Sequence, residues 1–187
     1  MAEVWLVRHA ETEWSRSGRH TGRTDLPLTD RGREVAEALR ARLADRRFDR
    51  VFVSPLQRAR ETARLAGIDT GNAEVREELL EWDYGDYEGR RTADIRAERP
   101  GWYLWRDGVP NGETPEQVAA RCDRLVAELD AVDGTVCCVA HGHILRALAA
   151  RWLARPIDLG GQLPLETGAV SILGHEREVR ALRAWNA

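Results

Sequence analysis

The sequence predicts an α/β fold, a three-layer α/β/α sandwich built on a mostly parallel sheet of about six strands. Two observations support this prediction. Short apolar runs at residues 4–7, 51–53 and 135–140 have the length of buried strands. Segments with helical patterns separate these runs along the chain. Strands that alternate with helices in this way are typical of a parallel sheet covered on both faces.

Capping residues and apolar spacing predict the helices between the strands. Thr29 precedes apolar residues at helical intervals up to Leu43, which predicts a capped amphipathic helix. Residues 56–66 carry a second helical pattern that ends at Gly67. Residues 144–153 predict another helix after the strand 135–140.

The C-terminal half adds one more helix and a hairpin. Residues 114–117 read Thr-Pro-Glu-Gln, a capping box with proline in the first turn, and therefore begin a helix. Residues 169–173 and 179–185 predict two strands around a turn at 174–176, which would add an antiparallel edge to the sheet.

Two segments are predicted to be irregular. Residues 13–27 have the composition of a loop. Residues 77–113 are rich in glycine, aromatic and charged residues, with one or two short helices expected between 92 and 105. Long segments of this kind often cover active sites, so we expect one domain spanning 1–187 with a lid-like insertion at about 83–112.

The composition limits which classes of protein this chain can belong to. Apolar residues make up 43% of the 187 residues and charged residues 32%, as in globular proteins. The net charge of −3 argues against a general nucleic-acid or membrane-surface binder. No apolar run approaches membrane-spanning length and no signal peptide is visible, so the expected location is cytoplasmic.

The basic and sulfur-containing residues exclude several chemistries. All 28 basic residues are arginine, which excludes a Schiff-base, pyridoxal-phosphate or P-loop lysine. Cys122, Cys137 and Cys138 fit no zinc spacing, and the last two lie in an apolar run, so we expect buried thiols.

Three predicted strands end in residues suited to an anion. Arg8-His9 follows the first strand, Arg58 lies in the first helical turn after the second, and His141 follows the third. Ligands of parallel sheets bind at the carboxyl ends of strands, and helix N-termini there favour anions. An imidazole beside a guanidinium suits attack on phosphorus. Glu81, among aromatic and apolar neighbours that would raise its pKa, could donate a proton.

These residues belong to a longer series of motifs in which the chain resembles the histidine phosphatase superfamily, which includes cofactor-dependent phosphoglycerate mutase. The resemblance extends over nearly the whole chain and favours the phosphatase branch that includes mycobacterial acid phosphatases and the fungal sedoheptulose-1,7-bisphosphatase. It rests on Arg8-His9, His20-Thr21-Gly22, Leu28-Thr29 with Gly32, Ser54 to Ala59, Glu81 to Gly89, Trp105 to Gly108, Asn111 to Thr114 and His141-Gly142-His143.

The resemblance implies a role for each catalytic position. His9 would be the nucleophile that becomes phosphohistidine, with its other ring nitrogen donating to a backbone carbonyl. Arg8, Arg58 and His141 would bind the phosphoryl oxygens. Glu81 would protonate the leaving alcohol and then activate water. No metal or other cofactor would be needed.

Further residues are expected to bind the substrate or its phosphate. They are Ser15, Thr21, Gly22, Tyr84, Gly142, His143 and Arg146. For Arg146, a second phosphate and a surface position are equally open. His20 is expected to lie in a loop that could contact the substrate, and His143 is expected to lie near the pocket rim.

Departures from the mutase pattern favour hydrolysis over phosphoryl transfer. Ser15 replaces an asparagine, Thr92 replaces a substrate-binding lysine, and Arg106-Asp107 replaces a pair of arginines that hold a carboxylate. Fewer cationic contacts would hold a bisphosphorylated acid less well. Ala10 stands where the family usually has glycine, which affects the local loop.

The sequence therefore predicts a metal-independent phosphomonoesterase that acts on small, sugar-like phosphates through phosphohistidine. A phosphoglycerate mutase, or a bisphosphatase specific for sedoheptulose or fructose bisphosphate, is the alternative. A non-catalytic module that binds phosphorylated ligands, a structural ion-pair network and a metal site at His141 and His143 are less favoured. The expected partner is a small phosphate ester, with no nucleic acid and no membrane. A homodimer through an edge strand near Val170 or Val179 is left open.

Overall fold

A six-stranded sheet forms the centre of the molecule. The computed structural model describes residues 1–187. The strands are β1 (Glu3–Arg8), β2 (Arg50–Val53), β3 (Glu74–Val75), β4 (Thr135–Ala140), β5 (Val170–Glu176) and β6 (Val179–Ala184). Their order in the sheet is β3-β2-β4-β1-β5-β6. The first four are parallel to one another, and β5 and β6 pair antiparallel, so the predicted mixed sheet is confirmed.

Seven α-helices connect or flank these strands. They are α1 (Glu13–Ser17), α2 (Asp30–Leu43), α3 (Gln57–Leu65), α4 (Thr92–Glu98), α5 (Leu104–Asp107), α6 (Pro115–Asp130) and α7 (Gly142–Trp152). The predicted N-caps are present: Thr29 accepts from the Gly32 N–H, and Thr114 forms a capping box with Gln117. The candidate site lies where β1 and β4 meet the N-terminus of α7.

Three parts of the prediction were wrong or incomplete. Residues 13–27 are not all loop, because Thr12 caps the short helix α1 through a capping box with Ser15. The strand β5 continues through 174–176, and the turn lies at residues 177–178, where Arg177 has a φ of 54°. The two-residue strand β3 and the 3₁₀ helix Ile157–Gln162 were not predicted, because neither carries a run long enough to show periodicity.

Alternation along the strands divides the core into two layers. Val4 and Leu6 of β1 face one layer with α6, α7 and the aromatic side chains of residues 82–105. Trp5 and Val7 face the other layer, which contains α2 and α3. A sheet buried on both sides explains why its strands read as continuous apolar runs. The two cysteines of β4 follow the same alternation, and burial raises the pKa of both thiols.

The aromatic residues of the segment 77–113 belong mainly to the core. Trp82, Trp102 and Trp105 are buried, whereas Tyr84 alone of the aromatic residues in this segment lines the candidate cavity. The segment is therefore anchored by its own side chains. A lid function at 83–112 stays a prediction. No helix has both the length and the apolarity needed to span a membrane.

Candidate active site

The register of the parallel strands brings His9 and His141 together. Arg8 pairs with Ala140 at the ends of β1 and β4, so the next residue of each strand leaves the sheet at the same point. The His9 N–H donates to the Ala140 carbonyl at 2.8 Å, and the two imidazole ring centres are 5.1 Å apart. The predicted convergence at the strand ends is present in the structure.

His9 is held as a neutral imidazole with a fixed tautomer. Its Nδ1 lies 2.7 Å from its neighbour's carbonyl, that of Ala10, and must donate there, because a carbonyl oxygen only accepts. The pKa of His9 lies well below 6.5, first because of burial and then because of the positive charges of Arg58 and Arg8. The lone pair of Nε2 is therefore available for attack.

Arg8 presents positive charge to the cavity. One of its terminal nitrogens donates to the Leu165 carbonyl, while its buried Nε has no hydrogen-bond partner. A Cβ at Gly142 would lie 3.2 Å from the Arg8 Cζ atom, so the glycine leaves room for the guanidinium. Arg8 can thus still donate to an anion.

Arg58 and His141 lie behind His9 and do not line the cavity. The Arg58 Nε–H donates to His141 Nδ1 at 3.0 Å, so His141 must carry its proton on Nε2, which lies 2.7 Å from Ser54 Oγ. The guanidinium also donates three bonds to backbone carbonyls of residues 21–24. Most of the hydrogen-bonding capacity of both side chains is used within the protein, and their contact with the phosphoryl oxygens stays a prediction.

Glu81 accepts three backbone N–H groups, two of them at the start of α7. Its Oε1 accepts from Trp82 and Ile144 at 2.9 and 2.8 Å, and its Oε2 accepts from His143 at 2.9 Å. The carboxyl group is 4% exposed and borders the cavity. Its immediate neighbours are thus hydrogen-bond donors at a helix N-terminus, not the apolar groups expected from the sequence.

A buried ion pair holds the segment that carries Glu81. The guanidinium of Arg121 binds both carboxylate oxygens of Glu113, at 3.0 and 2.8 Å. Arg121 also donates to the Glu78 and Leu80 carbonyls, and Glu113 accepts from the Asp83 N–H. Residues on both sides of Glu81 are therefore fixed to α6. No local sequence pattern indicates this pair; its two residues only lie on either side of the capping box at 114–117.

The cavity above His9 has a volume of about 240 Å³. Its lining includes Arg8, His9, Ser15, Arg19, His20, Thr21, Glu81, Tyr84, Thr92, Gly142, His143 and Arg146. A larger groove of about 510 Å³ lies beside α3 and β3, but it contains none of the residues just described. We therefore place the candidate site in the smaller cavity.

Neutral polar groups form part of the cavity wall. The Tyr84 hydroxyl and His143 Nδ1 are 2.6 Å apart, and the Thr92 hydroxyl lies 3.2 Å from His20 Nε2. Burial lowers the pKa of His20 to about 4 and that of His143 below its ordinary value. The sequence predicted His20 in a loop that could contact the substrate, and the structure places it in the cavity lining.

The remaining predicted ligands differ in their freedom to bind. Arg146 lines the cavity, stacks on Trp105 and donates its Nε–H to the Gly160 carbonyl. Ser15 also lines the cavity, but its hydroxyl and its N–H are both engaged with Thr12. Gly22 is outside the lining, and its N–H donates to Glu88. A role of Gly22 in binding the substrate stays a prediction.

Comparison with known proteins decides the family. A family model described as the histidine phosphatase superfamily (branch 1) matches residues 4–187. The chain belongs to the histidine phosphatase superfamily. The acid phosphatase of Mycobacterium tuberculosis is 42% identical over 181 residues, which cover 95% of this chain and 88% of that protein. The sedoheptulose 1,7-bisphosphatase of Saccharomyces cerevisiae is 37% identical over 194 residues, which cover 87% of this chain and 70% of that protein.

A solved structure shows the same fold over the whole chain. The structure of an open reading frame from Mycobacterium tuberculosis has a TM-score of 0.94 and 41% sequence identity, and the match covers 99% of this chain and 97% of that one. The predicted family, its fold and its enzymatic class, a histidine phosphatase, are confirmed. No group of three or more His, Cys, Asp or Glu side chains has a metal-binding arrangement.

The buried histidines of this histidine phosphatase predict acid-sensitive stability. His9, His20, His141 and His143 each have a pKa below 6.5, chiefly because of burial. The unfolded chain takes up protons near pH 6.5, where the folded rings do not. The free energy of unfolding should therefore fall as pH drops below about 6.5, and for His20 the loss should continue to about pH 4.

The measurement is urea unfolding at a series of pH values from about 7.5 to about 4. This window extends from above the pKa of an unfolded histidine to the pKa of folded His20. The variant His20→Gln should show a shallower dependence in this range, by up to about 1.4 kcal/mol per pH unit, because one fewer proton is taken up on unfolding. A slope equal to that of the unsubstituted protein would show that His20 is not held neutral in the fold.

Proposed function

We propose that this enzyme hydrolyses small phosphate monoesters through a phosphohistidine intermediate on His9. The observation that carries the proposal is the state of His9 itself. Its Nδ1 is tied to the Ala10 carbonyl, its pKa is lowered by burial and by Arg58 and Arg8, and its ring borders the cavity. A buried neutral imidazole with a directed lone pair suits nucleophilic attack on phosphorus.

In the first half-reaction, His9 Nε2 attacks phosphorus and the ester oxygen leaves. Arg8 is placed to face the equatorial oxygens, because it lines the cavity and only one of its terminal nitrogens is bonded within the protein. The first turn of α7, beginning at Gly142, adds the positive end of a helix. Arg58 contributes its positive charge from behind the nucleophile. Glu81 delivers a proton to the departing alcohol.

In the second half-reaction, water replaces the alcohol. Glu81, now a carboxylate, takes a proton from the water as it attacks the phosphorus atom, and the bond to His9 Nε2 breaks. Orthophosphate is released and His9 returns to its neutral form. The positive charge comes from arginine side chains, so the proposed steps use no metal ion.

Hydrolysis is favoured over a mutase reaction by the contacts of Asp107. Arg106 binds its neighbour Asp107 through two nitrogens, both at 2.8 Å, and neither residue lines the cavity. Arg106 holds the pKa of Asp107 down to about 2, with help from the Tyr103 N–H. The pair is therefore internally neutralised, and no arginine from this segment holds a second acid group of the substrate.

The cavity favours a small hydroxylated leaving group. Its volume of about 240 Å³ lies below the range of about 300–1,000 Å³ for sites that enclose drug-sized ligands. Thr21, Thr92, Tyr84, His20 and His143 present neutral groups that can exchange hydrogen bonds with sugar hydroxyls. Relatives named for an acid phosphatase and for a sugar bisphosphatase support this substrate class. Arg146 is placed to bind a second anionic group.

Trapping the intermediate tests the proposal. Brief mixing with a ³²P-labelled sugar phosphate, followed by alkaline quenching, should leave label on the protein that is stable to alkali and lost in acid. The variant His9→Ala should carry no label and should lose turnover, and chelators should leave turnover of the unsubstituted protein unchanged. Full activity in His9→Ala would exclude the mechanism. Efficient interconversion of phosphoglycerates that depends on 2,3-bisphosphoglycerate would instead identify a mutase.

A further inference from the structure

Glu88 ties down the loop formed by residues 21–24. Its carboxylate accepts the Gly22 N–H through both oxygens, at 2.9 and 3.0 Å, and the Thr24 N–H at 3.1 Å. A Cβ at Gly22 would lie 2.6 Å from the Trp82 carbonyl oxygen, so the backbone approaches closely there. The acidic side chain lies 66 residues away in the sequence from the glycine that it binds.

The same loop surrounds the guanidinium of Arg58. Arg58 donates to the carbonyls of Thr21, Gly22 and Thr24 at 3.1, 2.9 and 2.9 Å. Its side chain is fully buried and forms no direct ion pair with a carboxylate. The Thr21 carbonyl and the Gly22 N–H belong to one planar trans peptide and point in opposite directions, so the carbonyl faces Arg58 while the N–H faces Glu88. The Thr24 N–H, also bound to Glu88, holds the next residues of the loop. The loop therefore connects the carboxylate to the buried cation.

Arg58 in turn contacts the catalytic imidazoles. Its Nε–H donates to His141 Nδ1 at 3.0 Å, and the rings of His141 and His9 are 5.1 Å apart. The charged and titratable groups around His9 are Arg8 from β1, Arg58 from α3, Glu81, and His141 before α7. Of these, only Arg58 is held by the loop 21–24.

We propose that Glu88 is a positioning residue of the phosphatase reaction: it holds the loop 21–24, whose carbonyls place the Arg58 cation behind His9 and His141. The proposal rests on the proposed function for its kinetic consequences, but the placement of Arg58 can be tested without turnover. Glu88 touches no reacting atom and acts through this loop, which binds Arg58 and includes Thr21 of the cavity lining.

The attachment of the loop does not depend on Glu88 alone. The His20 N–H donates to the Arg90 carbonyl at 2.9 Å, and the Gly89 N–H donates to the His20 carbonyl at 2.8 Å. Asp25 also binds both the backbone N–H and the side-chain amide of Gln57 at the start of α3. Loss of Glu88 should therefore change the direction of the carbonyls while the loop stays attached, so the effect on activity should exceed the effect on folding.

The variant Glu88→Gln tests this role. We expect kcat/KM for p-nitrophenyl phosphate to fall on the order of 10- to 100-fold, because small displacements at a reacting centre have effects of this size. The acidic limb of the kcat/KM profile should move to higher pH. With Arg58 displaced, less positive charge faces His9 and its pKa rises, so a larger share of His9 is protonated and inactive at a given acidic pH.

A structural readout accompanies the kinetics. NMR of ¹⁵N-arginine-labelled protein should show the Arg58 Nε–H as a protected, hydrogen-bonded resonance, assigned by its loss in Arg58→Lys. This resonance should broaden or exchange faster in Glu88→Gln. The control Glu98→Gln changes the same residue type in the same segment, where Glu98 pairs with Arg90 at the surface, and it should alter neither readout.

The outcomes separate the two proposals. A lower rate with an unchanged pH limb and an unchanged Arg58 resonance would assign Glu88 a merely structural role and overturn the inference. If the unsubstituted protein hydrolyses no phosphate ester, the proposed function fails, while the resonance still tests the placement of Arg58. If Glu88→Gln does not fold, Glu88→Asp keeps the charge with a shorter reach and should show the same two changes.

Discussion

Arg58→Met should lower the free energy of unfolding by about 3–5 kcal/mol at pH 7, since several buried acceptors would lose a charged donor. Methionine fills most of the volume but donates no hydrogen bond. Three carbonyls of residues 21–24 and His141 Nδ1 would be left without their partner. The substitution also removes the cost of burying a charge, which offsets part of the lost stability. The expected decrease in unfolding free energy is therefore less than the sum of four hydrogen bonds.

Urea unfolding followed by tryptophan fluorescence measures this change. The matched control is Arg60→Met, two positions along α3, where the side chain is exposed; its effect should stay within about 0.5 kcal/mol. A loss below about 1 kcal/mol in Arg58→Met would mean that the loop finds other donors and that Arg58 does not organise this part of the fold. Turnover should also fall, because His9 loses one of the two charges that keep it neutral.

The positions of the catalytic histidines were predictable, whereas the contacts of Arg58 were not. Strand ends in a parallel sheet meet at one edge, so Arg8-His9 and His141 had to lie close once β1 and β4 were recognised. The direction of the Arg58 guanidinium depends on the carbonyls of a loop. That loop is held by Glu88 and by the pairing of the preceding His20 with Gly89 and Arg90, contacts distant in sequence that no local pattern encodes.

The environment of Glu81 shows the same limit. Trp82 and Leu80 suggested apolar surroundings, but the tertiary structure brings the N-terminus of α7 to the carboxylate instead. The fold class depended on periodicity and capping, which act within a few residues, and those elements agree closely with the structure. Hydrogen bonds between distant segments decide where each functional side chain points, so they required the structure.

The site joins folding and catalysis through the same contacts. Glu81 accepts hydrogen bonds from N–H groups at the start of α7. Arg58 donates hydrogen bonds to the loop that forms one wall of the cavity. Burial of His9 lowers its pKa, as the proposed attack on phosphorus requires, and the same burial makes the fold sensitive to acid. Catalytic competence at mildly acidic pH therefore requires pKa values low enough that the folded rings stay neutral there.

Glu81→Gln should lower kcat for a sugar phosphate by about 10²- to 10⁴-fold, the range typical of a lost general acid. The amide cannot donate a carboxylic proton to the alkoxide that leaves. The loss should be much smaller for p-nitrophenyl phosphate in the first half-reaction, because p-nitrophenolate is a stable anion and needs no proton. The substitution keeps a carbonyl oxygen for the N–H groups of Trp82 and Ile144, and only the His143 N–H loses its acceptor, so the fold should persist with some loss of stability.

The measurement is kcat for both substrates, together with the amount of product formed in a pre-steady-state burst. With p-nitrophenyl phosphate, Glu81→Gln should still release p-nitrophenolate in a burst and then turn over slowly, because the same carboxylate is needed to activate water in the second half-reaction. The control is Glu77→Gln, an exposed carboxylate in the same segment, which should leave both rates unchanged. Equal losses for the two substrates without a burst would mean that Glu81 supports the site through its contacts with α7 and transfers no proton.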